Sequence, residues 1–256
     1  MDANTPPDPV ARRLDAERGL GWMSEAWTLF SERAGLWVLL AVVGMGIMLL
    51  TGVVPLLGAL LSPFVSALVA GGFMLVAEKQ RAGQSPGVSD FFDILSHRGF
   101  RPLMVLTLLY IALSFAAALL IIPLFAVTGG TATLFSAILG GQEAALAAGL
   151  GSILLGLLVF MLVALPLLAM YWFALPLVLF DAAEPWRAMK ASLHATLINM
   201  IPLLVYGMLV FVAFIAALIT LGLGFVVVIP LLLISWYLGF REIFSAAPVA
   251  TGIERL

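Results

Sequence analysis

The chain has 256 residues, of which 63% are hydrophobic and only 10% charged, where soluble domains are about 45–50% apolar and about 25% charged. A water-facing fold cannot hide that much apolar surface, so lipid is the expected solvent. The net charge of −2 offers no footprint for nucleic acid, and the lack of cysteine excludes disulfides, thiol catalysis and thiolate metal sites.

In chain order, Met1 to Val10 is polar and proline-rich, without the apolar core of a cleavable signal peptide. Residues 1–17 read as a flexible tail, and 18–245 as one membrane domain. Leu20 to Glu32 reads as a short amphipathic helix, with Met23, Trp27, Phe30 and Ala34 at helical spacing. No charge occurs between Arg33 and Glu78, which leaves room for two spans of about 20 residues each, at about 35–53 and 56–77. Gly52, Pro55 and Gly58 mark the turn between them.

A charged segment follows, with a second short helix over Ser89 to His97 and Ser89 as its expected N-cap. The third span covers about 102–126, and a more polar stretch runs from Thr128 to Glu143. The fourth, about 150–180, is too long for an untilted crossing, so it is expected to tilt or break near Pro166 or Pro176. A third short helix opens at Pro185, a residue suited to a first helical turn, with Met189 and Leu193 on its apolar face. Spans at about 197–221 and 224–240 follow, separated by Gly222-Leu223-Gly224, and 246–256 forms a second tail.

With these spans, every Lys and Arg falls on one side. Arg12, Arg13, Arg18 and Arg33 precede the first span; Lys79, Arg81, Arg98 and Arg101 follow the second. Arg187 and Lys190 follow the fourth, and Arg241 and Arg255 the sixth. Only Glu143 carries side-chain charge on the other side. The positive-inside rule then places both termini in the cytoplasm of a multi-pass protein of the bacterial inner membrane.

The chain therefore reads as an all-α bundle of three hairpins, each preceded by a cytoplasmic amphipathic helix. The pattern is either an internal triplication or the ordinary consequence of interfacial helices between spans. Trp22, Trp27, Phe30, Phe91, Phe92 and Trp186 are the expected interfacial anchors. The short helices could equally pack beneath the bundle as a collar that offers a surface to a partner.

No Asp, Glu, Lys, Arg or His lies within an assigned span, which argues against a proton-driven pump. His97 and His194 could share a metal or acid–base site, but no ligand spacing such as HExxH supports one, and solvated interface residues explain them as well. Hence no catalytic residue, metal site or cofactor is expected. Asp90 and Asp93, one turn apart, could hold a cation or simply complement a helix N-terminus. Arg187 and Lys190 are candidates for lipid-headgroup contact or for charge retention alone. Glu143 guards a pore mouth or keeps a loop wet. The eleven methionines, Met45 and Met48 among them, read as core fillers rather than copper ligands.

Seven prolines lie in or beside spans: Pro55, Pro63, Pro123, Pro166, Pro176, Pro202 and Pro230. Broken helices often line transporter sites, although proline is also common in ordinary spans. Ser62, Tyr110, Tyr171, Asn199 and Tyr206 head the polar residues that either line a cavity or pin helices together. Small pairs, Ala67 with Gly71 and Ser152 with Gly156, permit close helix contact.

Several stretches carry a family resemblance. They are Gly21-Trp22 through Leu29-Phe30, Pro55 through Pro63, Ala70 through Met74, Ala174 through Ser192 with Asn199, Pro202 and Val205-Tyr206-Gly207, and Arg241 through Phe244. In these the chain resembles a family of uncharacterised proteobacterial integral membrane proteins. It is more distantly similar to the membrane domain attached to some glycerophosphodiester phosphodiesterases. The resemblance implies six helices in the bacterial inner membrane. It implies no activity, because the phosphodiesterase chemistry belongs to a separate domain.

The leading functional expectation is a non-enzymatic scaffold or accessory protein that binds membrane lipids, a membrane protein partner or a second copy of itself. The alternative is a permease or channel for a hydrophobic or weakly polar solute. A membrane-embedded hydrolase or transferase using His97 and His194 is the third.

Overall fold

The computed structural model describes residues 9–53, 55–128, 138–140 and 143–244, and the side chains of 124–128 and 143–148 lie outside that description. Residues 1–8, the tail at 246–256, much of the polar stretch after Thr128 and the Glu143 side chain therefore fall outside the described residues.

The described chain is helical. The elements are α1 (Arg18–Glu32), α2 (Ala34–Gly52), α3 (Pro55–Arg81), α4 (Val88–Phe92), α5 (Phe100–Thr128), α6 (Glu143–Trp172), α7 (Ala174–Phe180), α8 (Pro185–Ile198), α9 (Met200–Ile219) and α10 (Phe225–Phe244). Six helical segments are long and apolar enough to cross a membrane: 34–52, 55–81, 100–123, 149–180, 200–219 and 225–244. They match the expected spans to within a few residues, because uninterrupted apolar length is a local property. Their outer faces are studded with exposed leucines such as Leu49, Leu56, Leu120 and Leu162, as lipid-facing helices require.

Local chemistry sets the boundaries. Pro55 opens α3, where its missing N–H costs nothing. Gly222 (φ 88°) and Leu221 (φ 56°) form the tight turn between α9 and α10. Glu184 caps α8, its carboxylate accepting the Trp186 and Arg187 N–H groups at 3.2 and 3.1 Å, with Pro185 following. Ser89 does not cap α4. Gly87 stands at that position, and the Asp90 carboxylate reaches back to accept its N–H at 2.6 Å.

The fourth span breaks as expected, one turn before Pro176 and not at Pro166. Pro166 lies inside unbroken α6, and the helix is interrupted at Phe173, three residues before Pro176. The Ser192 hydroxyl from α8 enters the gap: it accepts the Phe173 N–H at 2.8 Å and donates to the Ala169 carbonyl at 2.6 Å. These two groups would otherwise bond each other in a continuous helix. Pro176 supplies no N–H to the Trp172 carbonyl, which instead accepts the Trp236 indole N–H at 3.1 Å.

Packing joins α2 to α3, α5 to α6 and α9 to α10. Helix α4 rests on α3, and α8 rests on α5, α6 and α7. The first short helix, α1, rests on the last pair, α9 and α10. Close approach is built into these contacts. A Cβ at Gly19 would stand 2.3 Å from the Pro202 carbonyl oxygen, and one at Gly72 would stand 2.6 Å from that of Phe91.

Residues 9–17, expected as part of a flexible tail, are tied to the bundle. Arg12 donates its N–H to the Ile243 carbonyl at 2.9 Å and its Nε–H to that of Glu242 at 2.6 Å. The segment thus bonds to carbonyls of the last described turn of α10. Asn199, fully buried, accepts the Leu14 N–H at 2.8 Å and donates to the Arg12 carbonyl at 3.0 Å. Replacing Asn199 with Leu should release this segment. Two lost hydrogen bonds of about 1 kcal/mol each should speed tryptic cleavage after Arg12 or Arg13 by about tenfold or more. Unchanged cleavage would mean that Asn199 does not hold the segment.

Candidate functional site

The expected anchors divide into two groups. Trp22, Phe30 and Phe91 are buried by protein, at 2%, 5% and 2% exposure, whereas Trp27, Phe92 and Trp186 are exposed at 55%, 43% and 44%. The buried stripe of α1 is Gly19, Trp22, Ala26 and Phe30, rotated from the expected Met23–Trp27 face. The small residues Gly19 and Ala26 let α1 approach its neighbours, so that face turns inward.

The polar residues of the spans occupy separate places. Tyr110 and Tyr171 stack with centroids 4.4 Å apart, and Tyr171 lies 3.4 Å from the Thr107 hydroxyl, all between α5 and α6. Tyr206 meets the Ser235 hydroxyl at 2.9 Å and the Trp22 ring edge-on at 5.9 Å. Ser62, exposed, donates at 3.4 Å to the Ala59 carbonyl of its own helix, and Asn199 holds residues 12–14. Trp37 donates to Gln80 Oε1 at 3.0 Å, and Gln80 Nε2 donates to the Leu29 carbonyl at 2.8 Å and to Glu32 at 3.0 Å. Apart from Ser62, these groups pin helices or the segment at 12–14 to one another, and they do not converge on one point.

The charged groups converge instead at one end of the bundle, where the last turns of the second, fourth and sixth spans meet. The Arg241 guanidinium pairs with Glu78 and lies 3.8 Å from Asp181. It also stands over the rings of Phe180 and Phe240, at 4.8 and 5.5 Å. Arg98 donates to the Phe180 carbonyl at 3.0 Å, closing α7. Burial pushes the Asp181 carboxyl above its usual range, while Arg241 pulls it back. An open cleft of about 530 Å³ lies among Glu78, Arg81, Asp181, Tyr237 and Arg241. Two acids and two arginines balance within it, so it favours no ion of either sign, and Arg241 serves chiefly to lash three helix ends together.

A second junction ties α1 to α10. Glu242 accepts the Trp22 indole N–H at 2.7 Å and pairs with Arg18 at 2.6 Å and Arg12 at 3.8 Å. Asp90 and Asp93 are both engaged by the Lys79 ammonium, at 2.6 and 2.9 Å. That bond, with the Gly87 N–H, holds the Asp90 carboxyl below its usual range. His194 is exposed. Among the described residues, no group of three or more His, Asp or Glu side chains is placed to hold a metal ion. Arg187 is half-buried and Lys190 exposed, both on α8.

Burial, reinforced by nearby Arg98, pushes the His97 imidazole below its ordinary value of 6.5. Its Nδ1 accepts the Gly99 N–H at 3.1 Å and must lose that bond on protonation. Because the folded value lies below the unfolded one, stability is full above pH 6.5 and falls as pH drops through the lower folded value. Thermal unfolding in micelles should therefore show a midpoint that decreases on acidification below pH 6.5. His97→Gln should flatten that slope, and an equal slope in both proteins would remove His97 as its source.

Two apolar hollows lie along the spans. One, of about 310 Å³, sits between α5 and α6 beside Tyr110 and Ser114. The larger, about 570 Å³, runs between α6 and α9 over α8, walled by Leu165 to Trp172 and by Leu203 to Val210.

No family model, curated protein or solved structure matches the chain. Six apolar helices make it a multi-pass membrane protein by length and composition.

The charged junctions leave no local signal in the sequence. From the sequence Arg241 reads as a topology marker and Glu78 as the limit of a charge-free run, and nothing local pairs residues 163 positions apart, as these two are. Ser192 was hidden for the same reason.

Proposed function

We propose that this chain is a non-enzymatic scaffold or accessory protein of the bacterial inner membrane, with both termini in the cytoplasm. It binds lipid or a partner protein through its outer faces and its collar of short helices. The observation that carries this reading is the use of span polar groups as internal pins. Thr107 with Tyr171, Tyr206 with Ser235, Trp236 with the Trp172 carbonyl, and Ser192 at the helix break are each satisfied within the protein. Polar residues spent in this way build a rigid body rather than line a route for a solute.

The three units of short helix and helix pair add to the reading. Each short helix rests on the pair that precedes it, and α1 rests on the last pair, so the units follow one another in a ring. Trp27, Phe92 and Trp186 remain exposed on that collar for contact with lipid headgroups or a partner. The resemblance to six-helix proteobacterial membrane proteins fits the same location.

The alternative, a permease for a hydrophobic or weakly polar solute, draws on the broken fourth span and the hollow beside it. Purification in native lipid with crosslinking and mass spectrometry separates the two. A scaffold should carry a reproducible lipid or protein. A bare monomer, together with solute flux in liposomes, would replace the scaffold reading with the permease.

A further inference from the structure

We propose that the hollow between α6 and α9 is a binding groove for one acyl chain of an anionic phospholipid, with its headgroup against Lys190 on α8. The inference specifies the lipid of the scaffold reading and rests on it only in that sense, since the groove would hold a chain in a permease as well.

The groove is a gap in an otherwise continuous ring. The second helix of the first pair, α3, packs against α5, the first helix of the next, and α10 packs likewise against α2. The corresponding seam between α6 and α9 holds about 570 Å³ of space instead, within the range of small-molecule sites, about 300–1,000 Å³. Its length along α9, from Met200 to Val210, is about 15 Å at 1.5 Å per residue, half of an approximately 30 Å hydrocarbon core. It begins where α8 delivers the chain into the span, so it occupies the leaflet on the side of the charged segments.

The chemistry of the groove selects its occupant. Its two hydroxyls are already engaged, Thr196 donating to the Ser192 carbonyl and Tyr206 bonded to Ser235. What remains is apolar and suits a hydrocarbon chain better than a polar solute. The exposed face of α8 grades along its length from Trp186 through Lys190 and His194 to Leu197 and on to Met200. Along that face a basic group precedes the apolar side chains that line the groove, as an anionic headgroup precedes its acyl chain.

Gly207 provides the test, because a Cβ there meets nothing within 4 Å, and the same is true of Gly46 on α2. Full-length protein would be reconstituted in vesicles with phosphatidylglycerol or phosphatidylcholine bearing a diazirine on the acyl chain, and labelled peptides mapped after irradiation. Label should concentrate on residues 165–172 and 203–210, well above the outward faces around Leu49 and Leu120. Gly207→Phe should abolish most of that excess, and Gly46→Phe should leave it intact. If Gly207→Phe fails to fold, Leu204→Trp, at a side chain 62% exposed in the same groove, serves the same purpose. Lys190→Ala should lower the preference for phosphatidylglycerol about fivefold, the share of one lysine beside an anionic surface. Even labelling of all outward faces would overturn the proposal, as would a groove signal that survives both filling substitutions. Crosslinking of the groove to a protein helix instead of lipid would overturn it too while leaving the scaffold reading standing.

Discussion

Trp22→Ala should lower stability by about 3–5 kcal/mol, the usual cost of emptying a large aromatic site in a core. Trp22 is 2% exposed, meets Tyr206 edge-on, and lies against Gly239, where a Cβ would stand 3.2 Å from its ring. Its indole also donates to Glu242, the carboxylate that gathers Arg12 and Arg18. The substitution therefore opens a cavity between α1, α9 and α10 and strips one donor from that carboxylate. Trp22→Phe keeps most of the packing and loses chiefly the hydrogen bond, so it should cost about 1.5–3 kcal/mol, as bonds to charged groups do. Thermal or chemical unfolding in micelles would rank the two. Equal and small effects would show that α1 contributes little to the fold. The outward Trp27 on the same helix is the internal comparison, and Trp27→Ala should be nearly neutral by the same measure.

Ser192→Ala should cost about 2–4 kcal/mol for the loss of one hydroxyl. The reason is the pair of backbone groups it serves. Without it the fully buried Phe173 N–H and the half-buried Ala169 carbonyl are both left without their partner. An unsatisfied group costs about 1–3 kcal/mol, with the half-buried Ala169 carbonyl at the lower end, and no water is present in the hydrocarbon region to compensate. The competing outcome is a repaired helix, in which these two groups bond each other and α6 runs straight into α7. Spin labels placed on either side of Phe173 would distinguish them. A lengthened, stable fourth span in Ser192→Ala would mean that the hydroxyl imposes the break, whereas a destabilised span with unchanged geometry would leave the break to Pro176. The Trp236 indole, which serves the Trp172 carbonyl next to the break, is the second support. Its removal should add to that of Ser192 less than independently, because the two act on one turn of backbone.

These two sites show how α8 and α1 contribute. Both are short and lie outside the six spans, yet each places a side chain on a weak point of the bundle. Ser192 repairs an interrupted helix, and Trp22 fills the space between α9 and α10. The lashing of Glu78, Asp181 and Arg241 adds a third brace at the same end.

The amino-acid sequence alone determined the six helices, their approximate limits and the turns at Gly52–Pro55 and Gly222–Gly224. Apolar run length, proline and glycine act over a few residues, so each leaves its mark where it operates. Tertiary structure decided which face of α1 turns inward, where the fourth span breaks, how residues 9–17 are held and where a hollow is left between α6 and α9. Each of those outcomes depends on a partner far along the chain: Glu242 lies 220 residues from Trp22, Ser192 19 from Phe173, and Asn199 185 from Leu14. A membrane helix is apolar on every side, so its own pattern carries little record of which side meets protein. That choice is made by small residues, shape and a few buried hydrogen bonds, and it exists only once the helices are packed.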